Sequence, residues 1–255
     1  MQLVDAHCHF DFPEFDGVRD QVLDTARARA VEALVVPGVR RADWDRVEAL
    51  ASPARGLWYC LGIHPWFVDE HSEQDLVVLE TRLSARREGC VGLGECGLDA
   101  LHGDLAKQLP WFQVQIDIAA KLTLPLVIHS VRSHDQVHGL LRSSGWSGRA
   151  LVHGFSGSYQ QARKLVDLGC FIGVGGVITH DRARKTRDAI ARLPLEALVL
   201  ETDAPDMPPA GVAKGQNSPE YLLNVVQALA ELRGGPVEAV AETLYDNVQR
   251  LYGWR

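Results

Sequence analysis

The chain has 255 residues, 46% of them hydrophobic and 23% charged, with a formal net charge of −7. This is the balance of a folded globular protein. The lack of any run of about 18 apolar residues argues against a membrane-spanning helix, and the acidic excess argues against broad nonspecific nucleic-acid binding, though not against a small local basic site.

Apolar runs recur at steady intervals along the chain, at 3–6, 33–36, 57–61, 90–93, 125–128, 150–152, 171–174 and 197–200, and each is followed by a helix-like stretch. The first begins almost at Met1, with no basic region ahead of it, so no secretory signal is expected. The runs are continuous rather than alternating, the pattern of strands in a parallel sheet covered on both faces. Between them the period becomes helical. Leu222, Val225, Val226, Leu229 and Leu232 fall at three- and four-residue spacing. Ser218-Pro219-Glu220 just before them reads as an N-cap with proline at the first helical position. Val237, Val240, Ala241, Leu244, Val248 and Leu251 form a second stripe. Cys8, Cys60, Cys90, Cys96 and Cys170 lie in apolar runs without paired spacing, and are expected to be buried free thiols in a reducing cytoplasm.

No linker or break in composition divides the chain, so one domain over residues 1–255 is expected. Eight β-then-α units predict an α/β fold, a (β/α)8 TIM barrel. The rival is an open doubly wound sheet, weakened by the absence of a G-x-G-x-x-G turn or a P-loop after any strand.

A TIM barrel carries its chemistry at the C-terminal ends of its strands. The first run ends in "DAHCHFD", with His7 and His9. Alternate residues of a strand share a face about 6–7 Å apart, so these two imidazoles can grip one ion. The third run ends in His64, the fourth in Glu95 and Asp99, the fifth in His129, the sixth in His153, and the eighth in Glu201 and Asp203. The second and seventh end in Pro37-Gly38 and Gly175-Gly176, expected to leave open space. A barrel converges such positions on one mouth, which points to a shared metal site.

With "DAHCHFD", "GIHP", "GLGECGLD", "LPLVIHS", "HGFSGS" and "LETDAP" in place, the chain resembles the TatD-type metal-dependent hydrolases, within the amidohydrolase-like barrels, over essentially its whole length. Gln108, Phe112 and Gln115 also fit that family's spacing. The resemblance implies a binuclear centre in which His7, His9 and Asp203 hold one divalent ion, His129 and His153 hold the second, and Glu95 bridges the two. Two cations of four or five ligands, completed by water, match that donor set. Imidazole ligands favour Zn, Mn or Co, whereas the family is described with Mg or Mn, so the ion stays open among Mg, Mn and Zn. The implied chemistry is in-line attack on phosphorus by a metal-activated water. Asp203 would be the general base, and Glu201 would orient a ligand histidine. His64 would contact substrate or protonate the leaving group, or else be a structural strand-end histidine.

The family's expected substrate is DNA, which would make the chain a deoxyribonuclease. "THDRARKTR" after the seventh run, with Arg182, Arg184, Lys185 and Arg187, either anchors a phosphate backbone or forms a solvated helix face. A Pro/Gly-rich loop of about 15 residues follows the eighth run, and Lys214 and Asn217 are its expected substrate contacts. Trp66 and Phe155 either stack on bases or close the barrel mouth. Two departures from the family pattern weaken the DNA reading. Arg132 comes one place late after His129, behind Ser130 and Val131, and Gln216 stands where an arginine is often found. The alternative is therefore a hydrolase of a small phosphoester, lactone, amide or aminoacyl ester at the same metals. A non-enzymatic metal-containing scaffold is the further rival, opposed by the complete ligand set. His134 and His138 lack a metalloprotease glutamate and are expected at the surface; His71, His102 and His180 receive no role. No obligate protein partner is evident.

Overall fold

The computed structural model describes residues 1–254. Eight strands alternate with helices in chain order: β1 (Leu3–Asp5), α1 (Arg19–Ala28), β2 (Val31–Gly38), α2 (Arg41–Leu50), β3 (Leu57–Leu61), α3 (Glu73–Ser84), β4 (Cys90–Asp99), α4 (Leu105–Leu122), β5 (Leu126–Val131), α5 (His134–Ser143), β6 (Ala150–Val152), α6 (Tyr159–Val166), β7 (Cys170–Val174), α7 (Arg184–Arg192), β8 (Leu198–Leu200), α8 (Leu222–Arg233) and a further helix, α9 (Val237–Tyr252). The strands pair in parallel in the order β1 to β8. The seam between first and last is drawn together by Ala6 N donating to Leu200 O (2.9 Å), His9 N to Ala204 O (2.9 Å) and Asp203 N to His7 O (3.0 Å). This is the expected (β/α)8 barrel.

The barrel interior is filled by one apolar side chain from each strand: Val4, Val35, Cys60, Val91, Val127, Leu151, Phe171 and Val199. Val248, Leu251 and Tyr252 of α9 pack against this layer, and Tyr252 Oη donates to Ala6 O at 2.8 Å. Apolar filling there leaves the opposite end for polar groups. A second apolar layer, with Leu61, Leu93, Phe112 and Leu229, fills the space between sheet and helices. Four cysteines are buried and free, while Cys90 is free but only half-buried. No helix of the described residues is long and apolar enough to cross a membrane.

Several local expectations differ from the structure. β4 runs six residues past its apolar run, through Glu95 to Asp99, because its backbone pairs with β5 (Gly97↔His129, Asp99↔Val131) whatever its side chains are. Gly97 has φ +136°, and a Cβ there would lie 2.1 Å from His129 O, so only glycine lets β4 approach β5 at this point. Gly176 does not leave open space. Its missing Cβ is the seat of the loop after β8, with Met207 O only 2.4 Å away, and a Cβ on Gly38 would meet the Trp44 and Leu61 side chains. Pro219 opens a 3-10 turn, Pro219–Tyr221, ahead of α8, and the Ser218 side chain makes no capping hydrogen bond.

Candidate metal centre

His7 and His9 lie just beyond β1, yet the ladder continues through Ala6, Cys8 and His9, whose amides donate to Leu200, Val35 and Ala204. Alternation therefore persists, and the two Nε2 atoms come to 3.3 Å. His7 Nε2 lies 3.3 Å from both Glu95 Oε2 and Asp203 Oδ1, and His9 Nε2 lies 3.4 and 3.5 Å from the same two oxygens. Donors arranged tetrahedrally about an ion at bond lengths of about 2.0–2.1 Å are separated by roughly 3.4 Å. His7 Nε2, His9 Nε2 and Glu95 Oε2 therefore have the spacing of a metal's ligands, and so do the same two nitrogens with Asp203 Oδ1.

The other Glu95 oxygen faces a second set of imidazoles. Oε1 lies 2.7 Å from His153 Nε2, 2.9 Å from His129 Nδ1 and 3.1 Å from His64 Nε2. One carboxylate thus presents one oxygen to each of two donor groups, all of them on strand ends or the turns just after them. Glu95 Oε2 and Asp203 Oδ1 are buried and make no hydrogen bond among the described residues. Buried anionic oxygens without partners are costly unless a cation meets them, so the donor set fits divalent metal.

The electrostatics agree. Burial pushes the Glu95 carboxyl up, but His153, His64, His7 and His129 outweigh it and hold it well below the usual carboxylate range. Burial likewise opposes ionisation of Asp203, and His7, His9 and His153 overcome it. His7, despite burial, is raised well above its ordinary value by Glu95 and Asp203. His129 is raised to about 9, burial being outweighed by Asp99 and Glu95. Without metal, protons on imidazoles balance the carboxylates; cations would displace them. Asp203 sits at φ +55°, a left-handed conformation that strains most L-residues.

Asp99, which carried no assigned role, is the residue that orients His129. Its Oδ2 accepts from His129 Nε2 (3.0 Å) and Trp66 Nε1 (2.7 Å), and its Oδ1 from Leu101 N (2.8 Å). A carboxylate behind a ligand imidazole fixes ring orientation and raises basicity. The signal was present: Glu95 and Asp99 are an even number of residues apart on one strand. His64 is buried, and burial lowers it to about 4 although Glu95 opposes this. Its Nδ1 accepts from Trp66 N (3.2 Å), so the ring is neutral with its proton on Nε2, facing Glu95.

Glu201 is buried beneath the cluster and burial pushes it up to about 8. Its Oε1 accepts from Gly154 N at 2.5 Å and so holds the backbone corner after His153, while its Oε2 is buried without a partner among the described residues. Asn217 is not a free substrate contact: it is 3% exposed, and its Nδ2 donates to Thr202 O (2.8 Å) and Asp206 O (2.6 Å), tying the loop after β8 to its own strand end. Arg132, Lys185 and Lys214 are exposed, form no ion pair among the described residues, and stand outside the cavity wall. That cavity, of about 200 Å³, is lined by His9, Phe12, Val39, His64, Trp66, Phe67, Glu95, His129, His153, Asp203 and Asp206. Phe155 is buried and stacked on His134 at 4.9 Å, so it offers no surface to a base. His134 is itself buried, not at the surface: Ser130 Oγ lies 2.6 Å from its Nδ1, and its Nε2 donates to Ser156 O (3.3 Å).

Residues 4–253 match the model of a family described as TatD related DNase. A Haemophilus influenzae protein named as an uncharacterized metal-dependent hydrolase is 40% identical over 99% of this chain and 100% of its own length. The crystal structure of YjjV, a TatD homolog from Escherichia coli, superposes with a TM-score of 0.94 at 42% identity, covering 98% of each chain. A Klebsiella pneumoniae protein named 3'-5' ssDNA/RNA exonuclease TatD is 30% identical over 94% of both chains.

Proposed function

We propose, for a chain that belongs to the TatD family of metal-dependent hydrolases, that it cleaves phosphodiester bonds of single-stranded DNA at a centre of two divalent ions. The observation that carries this reading is the Glu95 carboxylate, with Oε2 at 3.3 and 3.4 Å from His7 and His9 and Oε1 at 2.7 and 2.9 Å from His153 and His129. His7, His9 and Asp203 would hold one ion, His129 and His153 the other, and Glu95 both. When bound, such ions supply Lewis-acid activation of water and neutralise charge on the phosphoryl group. Asp203, kept ionised and on the cavity wall, accepts the proton of the attacking water. His64 presents an uncharged Nε2–H to the centre, and Asp99 keeps His129 in register. The exposed cations Arg132, Lys185 and Lys214 would hold phosphates beyond the scissile one.

A cavity of about 200 Å³ is below the size that encloses drug-like ligands. It suits one terminal residue of a chain, in keeping with the exonuclease name of the Klebsiella relative. The same size, with no lysine or arginine among the described residues of its wall, also favours a second reading, a small phosphoester, lactone, amide or aminoacyl ester as substrate. The test is to strip the protein with chelator, restore Mg, Mn or Zn singly, and offer 3′-labelled single-stranded DNA beside a panel of small esters. Metal-dependent shortening of the DNA supports the first reading. Intact DNA with ester hydrolysis replaces it with the second.

A further inference from the structure

Three phenyl or indole rings line the cavity wall, and each has a neighbour against one face. Phe12 is half-buried and stacked on His9 at 4.6 Å, and Phe67 is half-buried with the Arg40 guanidinium 4.8 Å from its centroid. Trp66 differs. It is 48% exposed, and His102, itself exposed, stacks on it at 4.6 Å and 30°. Leu101, the residue before His102, is 64% exposed. Both are fastened to one buried group: Asp99 accepts from Trp66 Nε1 at 2.7 Å and from Leu101 N at 2.8 Å. The bond from the Trp66 N–H to the carboxylate behind His129 fixes the plane of the exposed indole at the cavity wall. A rigid aromatic face loses little entropy on binding a flat partner.

We infer that Trp66 is a stacking platform for a nucleobase of the residue next to the scissile phosphate. This rests on the nucleic-acid reading above and names the wall residue that meets the base of that terminal residue. Base–indole stacking makes binding about 5- to 150-fold tighter.

The test is calorimetric titration of metal-loaded protein with thymidine 5′-monophosphate and with deoxyribose 5-phosphate, which keeps the phosphate and lacks the base. Metal content is measured for every variant. The wild type should bind the nucleotide more tightly than the sugar phosphate. Trp66→Leu should lose that preference by about 5- to 150-fold while holding the sugar phosphate as before. Trp66→Phe keeps a ring but lacks the N–H, and should retain most of the preference. The inference is overturned if the wild type shows no preference for the base, if Trp66→Leu keeps it, or if Trp66→Phe falls as far as Trp66→Leu, since that result makes the bond to Asp99 the whole of the residue's role. Cleavage is scored separately. A base preference without DNA cleavage leaves the platform standing and removes the nuclease reading; cleavage without a base preference does the reverse.

Discussion

Asp203 is the position where replacing charge and replacing backbone tolerance can be separated. At φ +55° an asparagine is accommodated, whereas alanine carries a cost of about 1–2 kcal/mol. For a chain of this size that cost lowers the melting temperature by roughly 2–8 °C relative to the asparagine variant. Asp203→Asn keeps the shape and removes the negative oxygen that lies 3.3 and 3.5 Å from His7 and His9. Loss of a general base alone slows a reaction about 10²- to 10⁴-fold, or roughly 2.7–5.4 kcal/mol of barrier, and loss of a ligand adds weaker metal binding. The assay pairs metal content by atomic emission with initial rates on single-stranded DNA, or on the small ester if DNA stays intact. An Asp203→Asn protein that melts as the wild type does, carries the wild-type metal content and turns over within a few-fold of the wild-type rate would refute the assignment. Equal melting temperatures for the asparagine and alanine variants would refute the backbone argument.

Four further outcomes are expected. Chelation should lower the melting temperature by roughly 10–20 °C, the effect of removing two ions each present at about a hundred times its dissociation constant, and should do so reversibly in differential scanning calorimetry. Asn217→Ala removes two buried hydrogen bonds to carbonyls of the β8 loop; it should destabilise by about 2–3 kcal/mol and speed amide exchange in that loop more than in β1–β5. Gly97→Ala drives a Cβ to 2.1 Å from His129 O, so a loss of more than about 3 kcal/mol in denaturant unfolding is expected, with His129 displaced. Burial raises Asp5 from 3.8 to about 7 although Thr202 hydrogen bonds oppose it. The native state therefore holds this proton where the unfolded chain has released it, so in metal-free protein the Asp5 contribution to stability declines as pH rises from about 4 through 7. Asp5→Asn should flatten the urea midpoint across that window.

The sequence by itself determined the barrel and which imidazoles and carboxylates stand at its mouth. Eight evenly spaced apolar runs admit few folds, and once the runs are barrel strands the residues after them must share one mouth. Periodicity carries this because it reports which backbone is buried, and burial is set locally by side-chain type. Only the tertiary structure decided what each polar side chain touches. It turned His134 inward onto Ser130 and Asn217 onto its own loop, filled the space at Gly176 with the Met207 backbone, gave Asp99 both Trp66 and His129, and separated the buried Phe155 from the exposed Trp66. Apart from Ser130 and His134, four residues apart at the turn into α5, these contacts join residues that no strand or helix period relates. They form between loops that the barrel brings together, and their partners are fixed by distance and by the need to satisfy each buried polar atom, which no one-dimensional pattern records.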